Sequence, residues 1–385
     1  MRIAFWVRTG NKYGSLEKYI AQFAEQCKEQ GHTFFLFNEI ENTSPEFCTR
    51  LLKAGVTQVV VGESLHSPVK VLTNVHSFLR LHQPDIVQLH FVNSLALPLL
   101  KLIGVPLVYQ TYHSAIGHDL SIRTKAIRKI DNLFATRIFA ISKSVYKDEL
   151  TAGVKADLLE HIYLGLDTDD FENQAQDLDG DKPPFFDDKS IAKIITVGRF
   201  FPVKGLRYVV EAAIQVLNQK ENVIWWLVGK EGPESSYCFD LIKSSGYQDK
   251  IIILGQRNDI PVLLRQSEFQ VVGSLSEGLG LMALEAAACG IPTIAPNIPG
   301  LDEVILDGET GLLVKSRSSQ ALAAASLWLL DHPQKRFGMG LAAKEFANEK
   351  FDSKKHITSL ISIFESDYLD ITKHHSTKFR SKNEM

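Results

Sequence analysis

Ser274-Leu-Ser-Glu277-Gly278-Leu279-Gly280-Leu281-Met-Ala-Leu-Glu285-Ala-Ala-Ala-Cys-Gly290 follows the apolar run Phe269-Gln-Val-Val-Gly273. The order reads as a buried strand, a glycine-rich turn and a helix, since Leu281 to Cys289 are strong helix formers throughout. The first turn of a helix has unpaired N–H groups and the positive end of the macrodipole, so it attracts an anion such as phosphate. Two carboxylates, Glu277 and Glu285, flank that place. Carboxylates beside an anion site repel the anion unless they are turned to hydroxyl groups, and a sugar nucleotide carries both a diphosphate and hydroxyls. The plainer alternative is that Glu277 favours the helix dipole and Glu285 is solvated.

The rest of the chain sets the frame. At 385 residues it exceeds one ordinary core, so two domains are expected. Its composition, 45% hydrophobic and 23% charged, is that of a globular protein, and a net charge of -3 argues against a dedicated nucleic-acid binder. Four cysteines without CxxC spacing suggest a reducing, cytoplasmic setting and no zinc site. Met1 to Val7 is too short an apolar run for a signal peptide and reads as a first strand. The apolar stretch Leu95 to Tyr109 is broken by Pro98, Lys101, Gly104 and Pro106 and does not read as a spanning helix.

Short apolar runs alternate with helix-forming segments. They are expected as strands at Ile3–Val7, Thr33–Phe37, Gln58–Val61, Ile86–Phe91, Leu107–Gln110, Ile138–Ile141 and Ile162–Leu164. A second series runs through Ile194–Val197, Ile224–Val228, Ile251–Leu254, Phe269–Val272, Thr293–Ala295 and Gly311–Val314. Such alternation means βαβ units, parallel sheets and two doubly wound α/β domains. The polar stretch 167–193 is expected as the linker between a domain at 1–166 and a domain at 194–352. A helix over 353–372 is expected to pack back toward the first domain, with a disordered tail over 373–385. Ligands of doubly wound sheets bind at strand carboxyl ends, so the active site is expected where two such edges face across a cleft.

Several residues fall at those ends. Thr9-Gly10-Asn11-Lys12-Tyr13-Gly14-Ser15 joins the first strand to a helix, either as an anion-holding loop or as a simple turn. His113 ends the fifth strand, as a structural histidine or one facing the cleft. Arg199 and Lys204 follow the first strand of the second domain, a planar fork and a point charge suited to a diphosphate. Ser121 to Arg137 interleaves Arg123, Lys125, Arg128, Lys129 and Arg137 with apolar residues. It is either a packed helix with a solvated basic face or a peripheral contact to anionic lipid on the inner face of the plasma membrane.

Taken together, these motifs resemble the retaining GT-B glycosyltransferases of group 1, also called glycosyltransferase family four. The resemblance covers nearly the whole chain and is strongest from Val197 to Val314. Glu277 and Glu285 match the family's two glutamates separated by seven residues, and Gly198-Arg199 with Lys204-Gly205 match its Gly-Arg and Lys-Gly element. Leu227-Val-Gly229, Pro299-Gly300, Glu303 and Thr310-Gly311 match further elements in order.

The resemblance implies a fold of two Rossmann-like domains and a nucleotide-activated sugar, UDP- or GDP-linked, as donor. Arg199 and Lys204 would bind its diphosphate, Glu285 the ribose, Glu277 a hydroxyl of the sugar, and the amides of Gly278, Leu279, Gly280 and Leu281 the phosphate or sugar. His113 would contact the sugar near the reacting carbon, and Gly14 would be the first of a paired-glycine loop whose second position here is Ser15. Retention of configuration without metal or cofactor is implied, with a carbohydrate or lipid-linked hydroxyl as acceptor in polysaccharide, glycolipid or glycoconjugate synthesis. Asp167-Thr-Asp169 is then a decoy and not a metal-binding DxD. The alternatives are a catalytically idle GT-B subunit or sugar-nucleotide binder, and phosphorolysis or epimerisation on the same fold.

Overall fold

The structure is a computed structural model that describes residues 1–8, 14–39, 44–61, 68–116, 120–168, 171 and 181–383, with backbone alone at 68–72 and 374–383. The chain divides into two compact units, Met1–Gly165 with Ser353–Met385, and Leu166–Asp352.

The first unit runs β1 (Arg2–Val7), α1 (Ser15–Glu29), β2 (Thr33–Asn38), α2 (Pro45–Ala54), β3 (Thr57–Val60), α3 (Pro68–His82) and β4 (Ile86–His90). It continues through α4 (Ala96–Ile103), β5 (Leu107–Tyr112), α5 (Ile122–Phe134), β6 (Arg137–Ala140), α6 (Lys143–Thr151) and β7 (Leu159–His161). The strands form one parallel sheet in the order β3-β2-β1-β4-β5-β6-β7. Helices cover both faces of such a sheet, which is why β4 is buried at every residue, its polar Gln88 and His90 included.

The second unit runs β8 (Ala192–Val197), a 3-10 turn (Pro202–Lys204), α7 (Leu206–Leu217), β9 (Val223–Val228), α8 (Ser235–Ser245), β10 (Ile251–Gly255) and α9 (Ile260–Arg265). Then come β11 (Phe269–Val271), α10 (Leu281–Ala288), β12 (Thr293–Pro296), β13 (Gly311–Val314), α11 (Ser319–Asp331) and α12 (Pro333–Lys350). Its parallel sheet has the order β10-β9-β8-β11-β12-β13. Trp225 and Trp226 are fully buried on β9. The Trp225 indole donates to Thr196 Oγ1 at 3.0 Å and Thr196 donates to the Val271 carbonyl at 2.9 Å, so a buried polar chain crosses β9, β8 and β11.

α13 (Ser353–Asn383) belongs to the first unit. Phe364 stacks on Tyr109 with centroids 4.8 Å apart, and Asp367 accepts two 2.7 Å bonds from Arg137 and one of 2.9 Å from Tyr109. The helix runs on through 373–383, where a disordered tail was expected. From Ser353 onward the sequence has no proline or glycine to stop it.

Other expectations are corrected by packing. The seventh strand lies at Leu159–His161, pairing with β6 from Ile138↔Leu159, whereas Tyr163 and Leu164 are buried beyond it without a ladder. The described part of the stretch expected as a linker belongs to the second unit. Trp226 donates to the Pro184 carbonyl at 3.3 Å and Phe186 stacks on Trp226, while Leu166, expected to close the first domain, also falls in the second unit, its N–H bonding the Phe351 carbonyl at 2.8 Å. β4 ends at His90, one residue short of the expected Phe91, which turns to φ +61°.

Candidate functional site

In the second unit the strand order reverses between β8 and β11, the place where doubly wound sheets bind ligands at their carboxyl ends. The loop after β8 and the loop after β11 meet there backbone to backbone. Gly205 adopts φ +58°, and a Cβ on it would lie 2.1 Å from the Gly273 carbonyl oxygen, so the approach requires glycine. Leu275 N–H bonds the Val203 carbonyl at 2.8 Å across the same seam.

This seam sets Lys204 against Glu277, with Nζ 2.7 Å from Oε1, and Ser274 Oγ donates to the same oxygen at 2.6 Å. The two side chains remain 21% and 14% exposed, open enough for a ligand to exchange with either. Gly280, at φ +72°, caps α10, and the buried Leu279 anchors the turn ahead of it. Half-buried Gly278 and Leu281 flank this turn, where the unpaired N–H groups of the helix start collect. Glu285, within α10, is only 7% exposed, which excludes the reading of a simply solvated glutamate. Arg199 shares the β8 loop but is exposed, its guanidinium 5.0 Å from the Phe201 ring centroid. Lys204, Glu277 and the α10 start are thus together, and Arg199 stands on Phe201.

In the first unit the order reverses between β1 and β4. The glycine loop at 9–13 lies outside the described residues. Gly14 N–H bonds Glu17 Oε2 at 3.0 Å, so this amide is occupied by the α1 start itself. His113, just past β5, is half-buried, and its Nε2 lies 2.9 Å from Nδ1 of the buried His90. Phe91 lies flat on His113, centroids 4.2 Å apart and planes 18° from parallel. Burial pushes the His113 pKa down to about 3, and burial, with His113 adjacent, holds His90 well below its ordinary range. Both rings are therefore neutral at ordinary pH.

The basic stretch Ser121 to Arg137 is not a single cationic face. Arg128 is buried, forking onto Glu149 through Nε and through Nη2 at 2.7 Å, and its Nη1 donates to Tyr112 Oη at 2.6 Å. Tyr112 in turn donates to the buried Asp131 at 2.5 Å. Arg137 starts β6 and is held by Asp367 and Glu160. Arg123, Lys125 and Lys129 stay exposed. Charge counting along a helix assumes solvation, and here carboxylates distant in sequence claim two of the five cations.

His90, Phe91 and Ser274 were not singled out from sequence. The register His90↔Thr111 places His113 two residues past His90's neighbour, and Gln88 donates to Thr111 Oγ1 at 2.7 Å with the same offset. Gln88-x-His90 against Thr111-x-His113 is the signal that could have found the pair. Among the described residues no group of three or more His, Cys, Asp or Glu side chains could hold a metal, and Asp169 of the DxD string lies outside them. No described helix is long and apolar enough to cross a membrane.

Comparison with known proteins agrees with the fold of the two units. Residues 181–346 match the family described as glycosyl transferases group 1, and residues 16–170 match glycosyltransferase family 4. The chain is 32% identical over 178 residues to N-acetyl-alpha-D-glucosaminyl L-malate synthase of Bacillus anthracis, covering 46% of this chain and 45% of that protein. It is 25% identical over 357 residues to D-inositol 3-phosphate glycosyltransferase of Pseudarthrobacter chlorophenolicus, covering 86% and 85%. Among solved structures, Anabaena HepE in complex with UDP and glucose superposes with a TM-score of 0.77 at 21% identity, over 95% of this chain and all of that one, a likeness of fold. The chain belongs to the group 1 glycosyltransferases of family four and has the α/β GT-B fold of two Rossmann-like units.

Proposed function

We propose that this glycosyltransferase takes its sugar from a nucleotide sugar and moves it to a hydroxyl acceptor with retention of configuration and without a metal. The observation that carries the reading is the Lys204–Glu277 pair at the β8/β11 reversal, beside the N-terminus of α10. Lys204, joined by Arg199 from the same loop, neutralises the donor diphosphate, and the amides of Gly278 to Leu281 add the helix-start field. Glu277, released from Lys204, accepts from a sugar hydroxyl. Glu285 binds the ribose and His113 a hydroxyl of the sugar.

Charge grows on the leaving phosphate as the glycosidic bond breaks, and a fixed cation and helix start aimed at it are worth about 10²–10³ in rate per donor removed. The acceptor oxygen attacks the anomeric carbon from the face the nucleotide leaves, and a departing phosphate oxygen takes the acceptor proton. Bond and proton are both accounted for without a side-chain nucleophile.

The test is nucleotide release from a panel of UDP- and GDP-sugars, with acceptors that include L-malate and inositol phosphate. HepE was solved with UDP-glucose, and two curated relatives are named for N-acetylglucosaminyl and inositol chemistry, so UDP-glucose and UDP-N-acetylglucosamine come first. The reading expects release that survives EDTA and a product whose anomeric proton coupling matches the donor's. An inverted product overturns retention, loss with EDTA overturns metal independence, and silence across the panel favours an idle binding protein.

A further inference from the structure

We propose that His90 is a positioning residue that holds His113 as its Nδ1–H tautomer, so that His113 offers a hydrogen-bond donor, and no basic lone pair, to its ligand. The inference rests on the reading above only in naming that ligand as the donor sugar.

The geometry admits two arrangements. A 2.9 Å approach of His90 Nδ1 to His113 Nε2 needs one hydrogen between them. If His113 Nε2 supplies it, neutral His90 must carry its own hydrogen on Nε2. If His90 Nδ1 supplies it, His90 Nε2 is a bare lone pair and His113 carries its hydrogen on Nδ1. His90 Nε2 is buried with no partner among the described residues, and the ring packs against Phe5 with centroids 4.6 Å apart. An orphaned buried N–H is rarer and costlier than an unsatisfied acceptor, so the second arrangement prevails. Both rings are then Nδ1–H tautomers, linked in one direction.

Orientation is fixed as well as tautomer. Phe91 reaches its place over His113 through a left-handed backbone, φ +61°, an uncommon conformation for a bulky side chain that persists only where the surroundings impose it. With Nε2 tied to His90 and one face covered by Phe91, Nδ1 is the nitrogen of His113 left to a ligand. A sugar hydroxyl oxygen accepts from Nδ1–H, and His113 in this state is no base.

The test is a long-range ¹H–¹⁵N spectrum of the full-length protein with ¹⁵N-labelled histidine, His113 and His90 being assigned by their loss in His113→Asn and His90→Phe. The proposal expects both rings as Nδ1–H between pH 6 and 8, opposite to the Nε2–H form neutral histidine favours in water. Either ring found as Nε2–H overturns it. In His90→Phe, His113 should shift toward Nε2–H, with kcat/KM for the nucleotide sugar down about tenfold, the scale of one hydrogen bond. An unchanged His113 tautomer in that variant overturns the role of His90. Should the variant not fold, the wild-type spectrum alone decides the direction of the bond. Predicted tautomers with no turnover of any nucleotide sugar would leave the pair intact and remove the donor sugar as its ligand, a failure of the earlier reading.

Discussion

The two units share one strand order over six strands, to which the first adds a seventh, and they equip the same place in it differently. At the strand reversal of the second unit, the polar groups are an ion pair that stays partly open, Lys204 with Glu277. In the first unit the corresponding edge presents neutral rings, His90 and His113, while its charges, Arg128, Glu149 and Asp131, are sealed beneath. The difference teaches how one architecture sorts chemistry. Open charges can exchange partners with an anion, whereas buried charges can only hold the fold, and neutral rings suit neutral hydroxyls.

Removing Arg128 is the hardest blow to that contrast. Arg128→Leu leaves Glu149 and Asp131 buried without their cation, and breaking such a pair costs about 3–5 kcal/mol. Urea unfolding should show that loss, and a variant as stable as wild type would mean the sealed network carries no weight. Lys204→Ala should do the opposite, leaving the midpoint of unfolding nearly unchanged while kcat/KM falls about 10²–10³-fold. Near-normal turnover would break the assignment of the open pair. Glu285→Gln should weaken nucleotide-sugar binding about ten- to a hundredfold by calorimetry, the value of hydrogen bonds to a charged acceptor. Unchanged affinity would remove Glu285 from the ribose.

The neutral edge makes a smaller, pH-dependent prediction. Histidine's ordinary pKa is 6.5 and the folded His113 value is about 3, so the unfolded chain binds more protons between them. The stabilising contribution is complete above pH 6.5 and is lost as pH falls toward 3. Melting temperature should therefore fall less steeply below pH 6.5 in His113→Asn than in wild type, and equal slopes would contradict the burial of that ring's neutral form.

What was legible in the sequence follows the same division. The positions of Lys204 and Glu277 could be read because each follows an apolar strand at a predicted sheet edge, whereas their pairing shows only in the structure. The fold was legible for the same reason, since strands buried on both faces announce themselves as apolar runs. The histidine pair was not, because it depends on the register of β4 against β5, and nothing local says that His90 and His113 fall on one side. Arg128 was misread as surface because its partners, Tyr112 and Glu149, come from other elements. The helix over 373–383 is not legible in the sequence because His374, His375, Ser376, Thr377 and Asn383 are weak helix formers, and only the absence of proline and glycine permits it.

In the proposed reaction Lys204, with the start of α10, holds the phosphates of a nucleotide sugar. That role is tested most directly by the thermal shift of wild type and Lys204→Ala with UDP-glucose, UDP-N-acetylglucosamine and GDP-mannose. A ligand at a hundred times its dissociation constant adds about 2.7 kcal/mol of stability. At least one of these compounds should raise the melting temperature of wild type and leave Lys204→Ala unmoved at the same concentration. An equal rise in both proteins, or none with any of the three, would contradict it.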